Sequence, residues 1–294
     1  MKTTTYDIIT QQILAMLGKG VAPWRKTWKG VGRPTNIKGN QYRGTNWMLL
    51  AALDFERPIF LTYKQAQEHG GNVRKGEKGI PVVFWKTLQF EEESDGGDAE
   101  GKGEKKQVPF MRHYTVFNVA QCDGVKLPAK LEQPALEAEF GPIEAAERIC
   151  TGYPNPPKMK TSGERACYNL ILDEIAVPPK AAFESAEAYY ATLFHEMGHS
   201  TGHKTRLDRT MSGNRHGDTY ALEELIAEMT AAFLCAEAGI EQPVLENAAA
   251  YLKHWSEQLK ADPKLFITAA GRAQKAADYI LNVKHNEQTE EVCA

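Results

Sequence analysis

The stretch His195-Glu196-Met197-Gly198-His199 is an HExxH motif in a segment whose composition predicts a helix. On an α-helix, residues four positions apart lie on the same face, so His195 and His199 can both contact one metal ion. Glu196 then stands beside the open coordination position, where a carboxylate can accept a proton from water. These are the minimum parts of a zinc hydrolase site, but five residues can also match by chance, so the flanking sequence decides.

The flanking residues favour both the helix and the site. Ser185 is suited to the N-cap, and Glu187 places a negative charge in the first turn, where the helix dipole favours it. Gly202 is a natural C-terminal stop. A catalytic zinc usually has a third protein ligand, but His203 lies roughly 6 Å beyond His199 along a straight helix. We therefore assign His203 to the rim of the site or to a position behind the ligands.

The next helical segment, residues 220–238, offers the third ligand. Glu224 and Glu228 share a face with small residues and no lysine or arginine. Such a face is typical of close helix packing, where a carboxylate is costly unless it binds something. The spacing resembles the Glu-xxx-Asp of glutamate-type zincins, in which the first acid binds the metal and the second orients a ligand histidine. We assign these roles to Glu224 and Glu228; the alternative ligands are Glu228 and then Glu223.

Length and composition set wider limits on the class of protein. A chain of 294 residues with 42% hydrophobic content has room for two domains. Its five cysteines are odd in number and form no CxxC pair, which is typical of reduced thiols. No stretch approaches the roughly 20 apolar residues of a membrane span, and no signal-peptide pattern opens the chain. We expect a cytoplasmic protein with no membrane partner.

The formal net charge of −3 hides an asymmetry along the chain. Residues 1–90 contain 14 lysines and arginines against 5 aspartates and glutamates, whereas the remainder is acidic. A basic first third joined to an acidic body indicates a nucleic-acid-binding module attached to a second domain.

A charged, glycine-rich stretch interrupts the basic region at residues 91–107. It cannot bury enough apolar surface to fold, so we predict a flexible loop. The segments 81–85 and 110–119 on either side have the composition of strands and predict a hairpin around the loop.

A second junction, rich in proline, glutamate and alanine, predicts a linker at residues 129–142. It divides the chain into domains at 1–128 and 143–294. We predict an α+β fold: a small α/β domain, followed by a mainly helical domain with a small sheet.

The first domain interleaves aromatic and cationic residues. Unpaired bases stack on aromatic faces, worth roughly 1–3 kcal/mol each, while cations follow the phosphates, so the pattern is typical of single-strand binding. Tryptophans are also common in cores: Trp47, in an apolar run, is predicted to be buried, and Trp85 can face either way. The predicted single-stranded-DNA contacts are Trp24, Arg25, Lys26, Trp28, Tyr42, Arg43, Tyr63, Lys64, Arg74, Lys75 and Lys78.

These motifs resemble a known protein family. In the first domain, PWRKTW (23–28), YRGTNW (42–47) and GGNVRKGEKG (70–79) are similar to the single-stranded-DNA-binding domain shared by ArdC-type antirestriction proteins and TraC-type plasmid primases. In the second domain, the similarity is to the zincin-like metallopeptidase domain of ArdC-type proteins, through YYATLFHEMGHSTGH (189–203) and YALEELIAEMTAAFLCAEAGI (220–240).

The resemblance implies a function as well as a fold. It implies a plasmid-borne protein that binds the incoming single strand during conjugation and protects it from host restriction. It places the metal ligands at His195, His199 and Glu224 and the base at Glu196, with zinc or another divalent ion such as manganese as cofactor. The polymerising machinery that a primase needs is not evident in the sequence.

For the chemistry, we predict that Glu196 accepts a proton from the attacking water and delivers it to the leaving amine. A strand at 168–175 is expected above the helix, as an edge along which substrate pairs, and His216 or Tyr220 are candidates for stabilising the oxyanion. Three functions stay open: a protease recruited by DNA to a host restriction enzyme or another DNA-bound protein, a DNA-binding shield with a structural or vestigial metal site, and a metalloprotease whose basic domain binds protein.

Overall fold

Helices and three small sheets make up the computed structural model, which describes residues 3–25, 33–91, 105–132, 141–211, 218–241 and 248–283. The helices are α1 (Thr5–Leu17), α2 (Gly44–Ala51), α3 (Tyr63–Glu68), α4 (Ala129–Glu132), α5 (Pro142–Gly152), α6 (Ala186–Ser200), α7 (Asp218–Ala238), α8 (Ala248–Ala261) and α9 (Leu265–Ile280). The strands are β1 (Thr35–Asn36), β2 (Ile59–Leu61), β3 (Asn72–Val73), β4 (Ile80–Glu91), β5 (Lys105–Asn118), β6 (Cys122–Asp123), β7 (Lys158–Thr161), β8 (Cys167–Asn169) and β9 (Glu174–Val177). The predicted α+β class is confirmed. Within the described ranges, no helix combines the length and apolar character that a membrane crossing needs.

The first sheet has the strand order β1-β2-β5-β4, and its largest part is the antiparallel hairpin of β4 and β5. The predicted hairpin is confirmed, but its strands are longer than expected, because Glu91 pairs with Lys105 and Gln89 with Gln107. The predicted loop at 91–107 is therefore wrong at both ends: backbone pairing satisfies N–H and C=O groups whatever the polarity of the side chains. Residues 92–104 lie outside the described part of the chain.

The second part of the chain combines the sheet β7-β9-β8 with helices α5 to α9. Helix α6 begins as predicted, with the Ser185 hydroxyl accepting a hydrogen bond from the Ala188 N–H at 3.1 Å. Helices α6 and α7 approach closely because residue 198 is glycine. A Cβ atom at Gly198 would lie only 3.0 Å from the Ala227 Cα. The small residues on both helices thus bring the HExxH motif against the middle of α7.

The apolar core extends across both parts of the chain. Helices α1 and α2 share one buried cluster with α6, α7, α8 and α9. Trp47 of α2, predicted to be a core residue, is 6% exposed, and its ring lies 4.8 Å from that of Phe233 on α7. The two parts are consequently packed together through apolar side chains and not only joined by a linker.

The predicted linker at 129–142 is only partly described. Its first residues form the short helix α4, α5 begins at Pro142, and residues 133–140 lie outside the described ranges. The domain boundaries at 1–128 and 143–294 stay a prediction.

Candidate metal centre

Two histidines of α6 and one glutamate of α7 meet where these helices cross. The Nε2 atoms of His195 and His199 lie 3.1 Å apart. The Glu224 carboxylate lies 3.6 Å from each of these nitrogens, through Oε2 to His195 and through Oε1 to His199. One ligand atom from each residue lies within 4.8 Å of the others, and all three residues are partly buried. The structure thus brings together the three side chains that the sequence singled out.

The donor set suits a divalent transition metal ion. Two imidazole nitrogens and one carboxylate are the side-chain donors that zinc takes in catalytic sites. With metal–nitrogen distances of about 2.0–2.1 Å, tetrahedral geometry puts neighbouring donor atoms on the order of 3.3 Å apart. The separations of 3.1 and 3.6 Å bracket that value. The three residues therefore fit such an ion without rearrangement.

Glu196 is the buried carboxylate beside this cluster. It is 8% exposed, and the backbone N–H of Tyr168 lies beside it and favours its charged form. Burial raises the pKa of Glu196, against the opposing influence of His199 and of the Tyr168 N–H. A carboxyl whose pKa is raised accepts a proton more readily than a solvated one, as a general base requires.

The two histidines differ in their affinity for a proton. Burial, with the nearby charges of His199 and Arg25, lowers the pKa of His195 to about 3. Burial also disfavours the charged form of His199, but a hydrogen bond with Glu223 and the surrounding carboxylates outweigh it and raise the pKa of His199. His195 is consequently neutral at neutral pH, with a nitrogen lone pair available to a metal.

Glu223, and not Glu228, is the carboxylate that lies behind a histidine of this cluster. Its Oε1 lies 3.4 Å from His199 Nδ1, the ring nitrogen on the side away from the cluster. Arg209 fixes the same carboxylate with two hydrogen bonds, from Nε at 3.0 Å and from a terminal nitrogen at 2.6 Å. Burial raises the pKa of Glu223, but His199 and Arg209 outweigh this and lower it. A carboxylate behind a ligand histidine fixes the tautomer and ring orientation that the metal needs.

The prediction that Glu228 orients a ligand histidine is wrong in this structure. One turn beyond Glu224 on α7, its carboxylate instead accepts hydrogen bonds from Trp24 Nε1, at 3.0 Å, and from the Tyr251 hydroxyl. Burial raises the pKa of Glu228 to about 7. The rise of α7 explains the difference, since a turn moves a side chain about 5.4 Å along the axis, away from the histidines and toward α8.

Arg209→Ala is expected to weaken the binding of a divalent ion about 10- to 100-fold, because Glu223 would lose the partner that holds it against His199. Competition with a chromophoric zinc chelator measures the affinity. Glu223→Gln keeps the size of the side chain and should weaken binding similarly, whereas Arg272→Ala, at an exposed position of α9, is the matched control. Unchanged affinity in folded Arg209→Ala and Glu223→Gln proteins would contradict this role.

The edge of the small sheet lies above α6. In the order β7-β9-β8, β8 is an edge strand, and its Tyr168 contacts Glu196 through the backbone. The single strand predicted at 168–175 is wrong, since the chain turns at 170–173. The Asn169 side chain accepts the N–H groups of Ile171 and Leu172, both at 3.0 Å, and Asp173 has a left-handed φ of 48°.

The other residues predicted to lie near the centre are His203 and the two oxyanion candidates. His203 Nδ1 lies 2.8 Å from Thr205 Oγ1 and 3.9 Å from an Asp173 oxygen. Tyr220 lies half-buried in the first turn of α7, one turn before Glu224, and its role as oxyanion candidate stays a prediction. The other oxyanion candidate, His216, lies outside the described residues.

Each half of the chain matches the model of a known protein family. Residues 144–272 match the model of the zincin-like metallopeptidase family, and residues 3–117 match that of the N-terminal domain of anti-restriction factor ArdC. The crystal structure of the metal-free antirestriction ArdC protein from plasmid R388 is 41% identical, with a TM-score of 0.72, over 94% of this chain and 96% of that one. The chain belongs to the ArdC antirestriction family.

Other relatives of this ArdC family member show how much of each protein is similar to this chain. The Mn(II)-bound structure of the R388 ArdC protein is 39% identical, with a TM-score of 0.71, over 95% of this chain and 97% of that one. The protein y4eC of Sinorhizobium fredii is 37% identical over 99% of this chain and 95% of its own length. A DNA primase TraC of Escherichia coli is 34% identical over 98% of this chain, which corresponds to only 20% of the primase. Beyond that shared region, the primase has no counterpart in this chain.

Two aromatic residues predicted to stack on DNA bases are core residues in this ArdC family member. Trp24 is 0% exposed and packs edge-on against Trp255, with ring centroids 5.9 Å apart. Tyr42 is 4% exposed and packs against Phe60. Base stacking at Trp24 and Tyr42 is therefore wrong for this conformation, because other aromatic side chains of the core pack against both rings. Tyr63, in contrast, is 51% exposed at the start of α3.

The predicted cations divide into paired and open side chains. Arg43 forms an ion pair with Asp278 of α9. Arg74 pairs with Glu77 at 2.8 Å, and Arg25 stacks over the Tyr251 ring at 5.7 Å. Three of the predicted lysines are exposed: Lys64, Lys75 and Lys78. Lys64 lies 3.6 Å from the Glu68 carboxylate. Lys26 and Trp28 lie outside the described residues.

Proposed function

We propose that this protein is an ArdC-type antirestriction factor that binds single-stranded DNA and carries a working metallopeptidase site. It protects plasmid DNA that enters a cell during conjugation, and it acts in the cytoplasm, where that DNA arrives. The observation that carries the proposal is the meeting of His195, His199 and Glu224 beside the buried Glu196.

Three side chains would hold the ion, and the surrounding chain would align them. His195 and His199 supply imidazole nitrogens, Glu224 supplies a carboxylate, and Glu223 with Arg209 fixes the ring of His199. Zinc, or another divalent ion such as manganese, would polarise a peptide carbonyl and lower the pKa of a water molecule when bound there.

Glu196 is the general base in this proposal. Its carboxylate takes the proton from the attacking water and then delivers it to the nitrogen of the leaving amine, so that it ends the cycle deprotonated. The N–H of Tyr168 lies beside the carboxylate and favours its charged form, whereas burial raises the pKa of Glu196 and so favours uptake of the proton. A neutral backbone group of β8 thus stands beside the base without competing with it for the proton.

The substrate is proposed to be a protein segment in extended conformation. Because β8 is an edge strand, its outer backbone groups can pair with an added strand in the manner of β-augmentation. Pairing there would place a peptide next to Glu196, since Tyr168 of this strand contacts that residue. The proposed target is a host restriction enzyme or another DNA-bound protein. The DNA that both proteins bind would bring the target to the site.

DNA binding is supported by the basic first third of the chain and by the match of residues 3–117 to the N-terminal domain of the ArdC family. The exposed side chains Tyr63, Lys64, Lys75 and Lys78 are accessible for contacts with DNA. Phosphate contacts by lysines make affinity fall steeply with salt. A second candidate function is a DNA-binding shield with a structural metal site. It shares all of these features and differs only in that protection of the DNA would not need Glu196 as a base.

Metal analysis tests the centre itself. The protein is expected to bind about one zinc or manganese ion, and Glu224→Gln should lower the affinity at least about 100-fold, because an amide oxygen is a much poorer ligand than a carboxylate. Calorimetric titration of metal-free protein measures both stoichiometry and affinity.

Glu257→Gln, an exposed glutamate of α8, is the matched control and should bind the ion as the wild type does. Equal affinity of the wild-type and Glu224→Gln proteins, with both folded, would contradict the proposed ligand set. Loss of binding in the control would point to indirect effects of the charge.

A further inference from the structure

The long hairpin of β4 and β5 carries exposed aromatic residues that a role in the core does not explain. Trp85 on β4 is 54% exposed, and Phe110 on β5 is 41% exposed. Before these positions on β4 and after them on β5, the strands are covered: Val82 and Val116 are buried on one face and Val83 on the other. The two exposed rings thus stand further along the hairpin than these buried valines.

The strand register places these side chains on both faces of the projecting segment. Phe84 pairs with Arg112, and Lys86 pairs with Phe110, so these four side chains share one face. Trp85 lies between them along β4 and points to the opposite face. We call the segment formed by residues 84–86 and 110–112 the hairpin arm; Met111, which pairs with Trp85, is its buried member and packs into the core.

Positive charge accompanies the aromatic rings on the arm. The Arg112 guanidinium lies over the Phe110 ring, 5.2 Å from its centroid. Residues 80–86 and 110–118 contain no aspartate or glutamate. In the part of the chain that the structure describes, Lys86 and Arg112 have no carboxylate partner, and both are exposed.

We propose that the hairpin arm binds single-stranded DNA, with Trp85 and Phe110 stacking on unpaired bases and Lys86 and Arg112 contacting phosphates. The inference deepens the proposed DNA-binding function by assigning a surface to it. It also replaces Trp24 and Tyr42, whose rings are buried. Every base presents a flat face, so such a surface tolerates any sequence.

Charge complementarity favours a nucleic acid over a protein as the occupant. A protein-binding apolar patch is usually depleted of charge at its centre, whereas Arg112 lies directly on the Phe110 ring and Lys86 directly opposite it. Aromatic rings interleaved with unpaired cations are the combination that single-strand binding proteins use.

The test compares the dissociation constants of full-length variants for a fluorescently labelled oligo-dT of about 20 nucleotides, measured by anisotropy. Phe110→Ala and Trp85→Ala are each expected to weaken binding about 5- to 150-fold, because one stacked base is lost. Lys86→Ala and Arg112→Ala are expected to make the salt dependence shallower by about 0.7 in the slope of log K against log salt per lost phosphate contact.

The matched control is Met159→Ala combined with Lys160→Ala on β7. Met159 is 52% exposed and stands next to an exposed lysine, but it lies in the peptidase sheet. This control should bind the oligonucleotide as the wild type does. All of these positions are exposed, so the variants are expected to fold, which circular dichroism checks.

The outcomes separate this inference from the proposed function. If the wild type binds no single-stranded DNA, the proposed function itself fails. If the wild type binds and the arm variants bind equally well, the arm is not the binding surface. If the arm variants weaken duplex binding as much as single-strand binding, stacking on unpaired bases is excluded. If they lose binding only to a protein partner, the arm binds a protein. Each of these results overturns the inference.

Discussion

Glu196→Gln is expected to lower peptide hydrolysis by this protein by about 10²- to 10⁴-fold, the usual contribution of a general base. An amide has nearly the same shape as the carboxylate but cannot accept the proton of the attacking water. Glu196 is 8% exposed, so bulk water cannot easily replace it as the proton acceptor. The proposed ligands His195, His199 and Glu224 are untouched, and the affinity for the metal should stay within a few-fold of the wild-type value.

Cleavage of an unfolded protein substrate such as casein measures this effect, with metal content determined on the same samples. Glu187→Gln, in the first turn of the same helix, is the control and should retain full activity. Activity in Glu196→Gln equal to that of the wild type would assign the base to another residue. Loss of activity together with loss of metal would leave the role of Glu196 as a base unsupported.

The same variant separates the two candidate functions in cells. In a conjugation assay with a restricting recipient, a protease mechanism predicts that Glu196→Gln loses protection of the incoming DNA. A DNA-binding shield predicts that protection survives while hydrolysis is lost. The comparison is informative because the substitution removes no charge from the basic N-terminal surface and alters no aromatic side chain there.

The positions on α6 and α7 could be predicted from sequence because helical periodicity fixes them. His195 and His199 are four residues apart, and the small residues around Glu224 indicate a face that packs against another helix. Gly198 and Ala227 confirm this packing, since a Cβ at Gly198 would lie 3.0 Å from the Ala227 Cα. Local pattern was sufficient here because the relevant contacts repeat along regular helices.

The contacts behind the centre could not be predicted in the same way. Arg209 reaches Glu223 from an irregular segment whose path no periodicity encodes. Glu223 and Glu228 are both glutamates of one helix, and their partners decide which of them meets a ligand histidine. The turn after Asn169 depends on a side-chain hydrogen bond that a strand-like composition conceals.

Trp24 illustrates the same limit for the first domain. Its sequence neighbours are cationic, which is typical of a nucleic-acid-binding segment, but its ring is covered by Trp255 and Phe266, more than 200 residues away. An aromatic residue beside cations has the same local signature whether it is exposed or buried. Only the tertiary fold distinguishes Trp24 from Trp85.

Trp24→Ala is expected to lower the free energy of unfolding by about 3–5 kcal/mol, the usual cost of truncating a buried tryptophan. The ring is 0% exposed, and its Nε1–H donates to Glu228 at 3.0 Å and to the Tyr251 hydroxyl at 2.6 Å. Urea unfolding followed by circular dichroism measures the change. Trp85→Ala, which removes a ring that is 54% exposed, is the matched control and should change the free energy by less than about 0.5 kcal/mol.

Trp24→Phe divides this cost between packing and hydrogen bonding. Phenylalanine keeps most of the apolar contact but cannot donate a hydrogen bond to Glu228. Trp24→Phe is therefore expected to lower the free energy of unfolding by about 1–3 kcal/mol, because a buried acceptor loses one of its donors. Because Glu228 lies one turn from Glu224 on α7, Trp24→Phe is also expected to weaken metal binding. The helix that carries the proposed third ligand would lose its hydrogen bond from Trp24. A variant as stable as the wild type would mean that the hydrogen bond contributes nothing. A destabilised variant with unchanged metal affinity would mean that the two parts of the chain share a core but do not influence each other's sites.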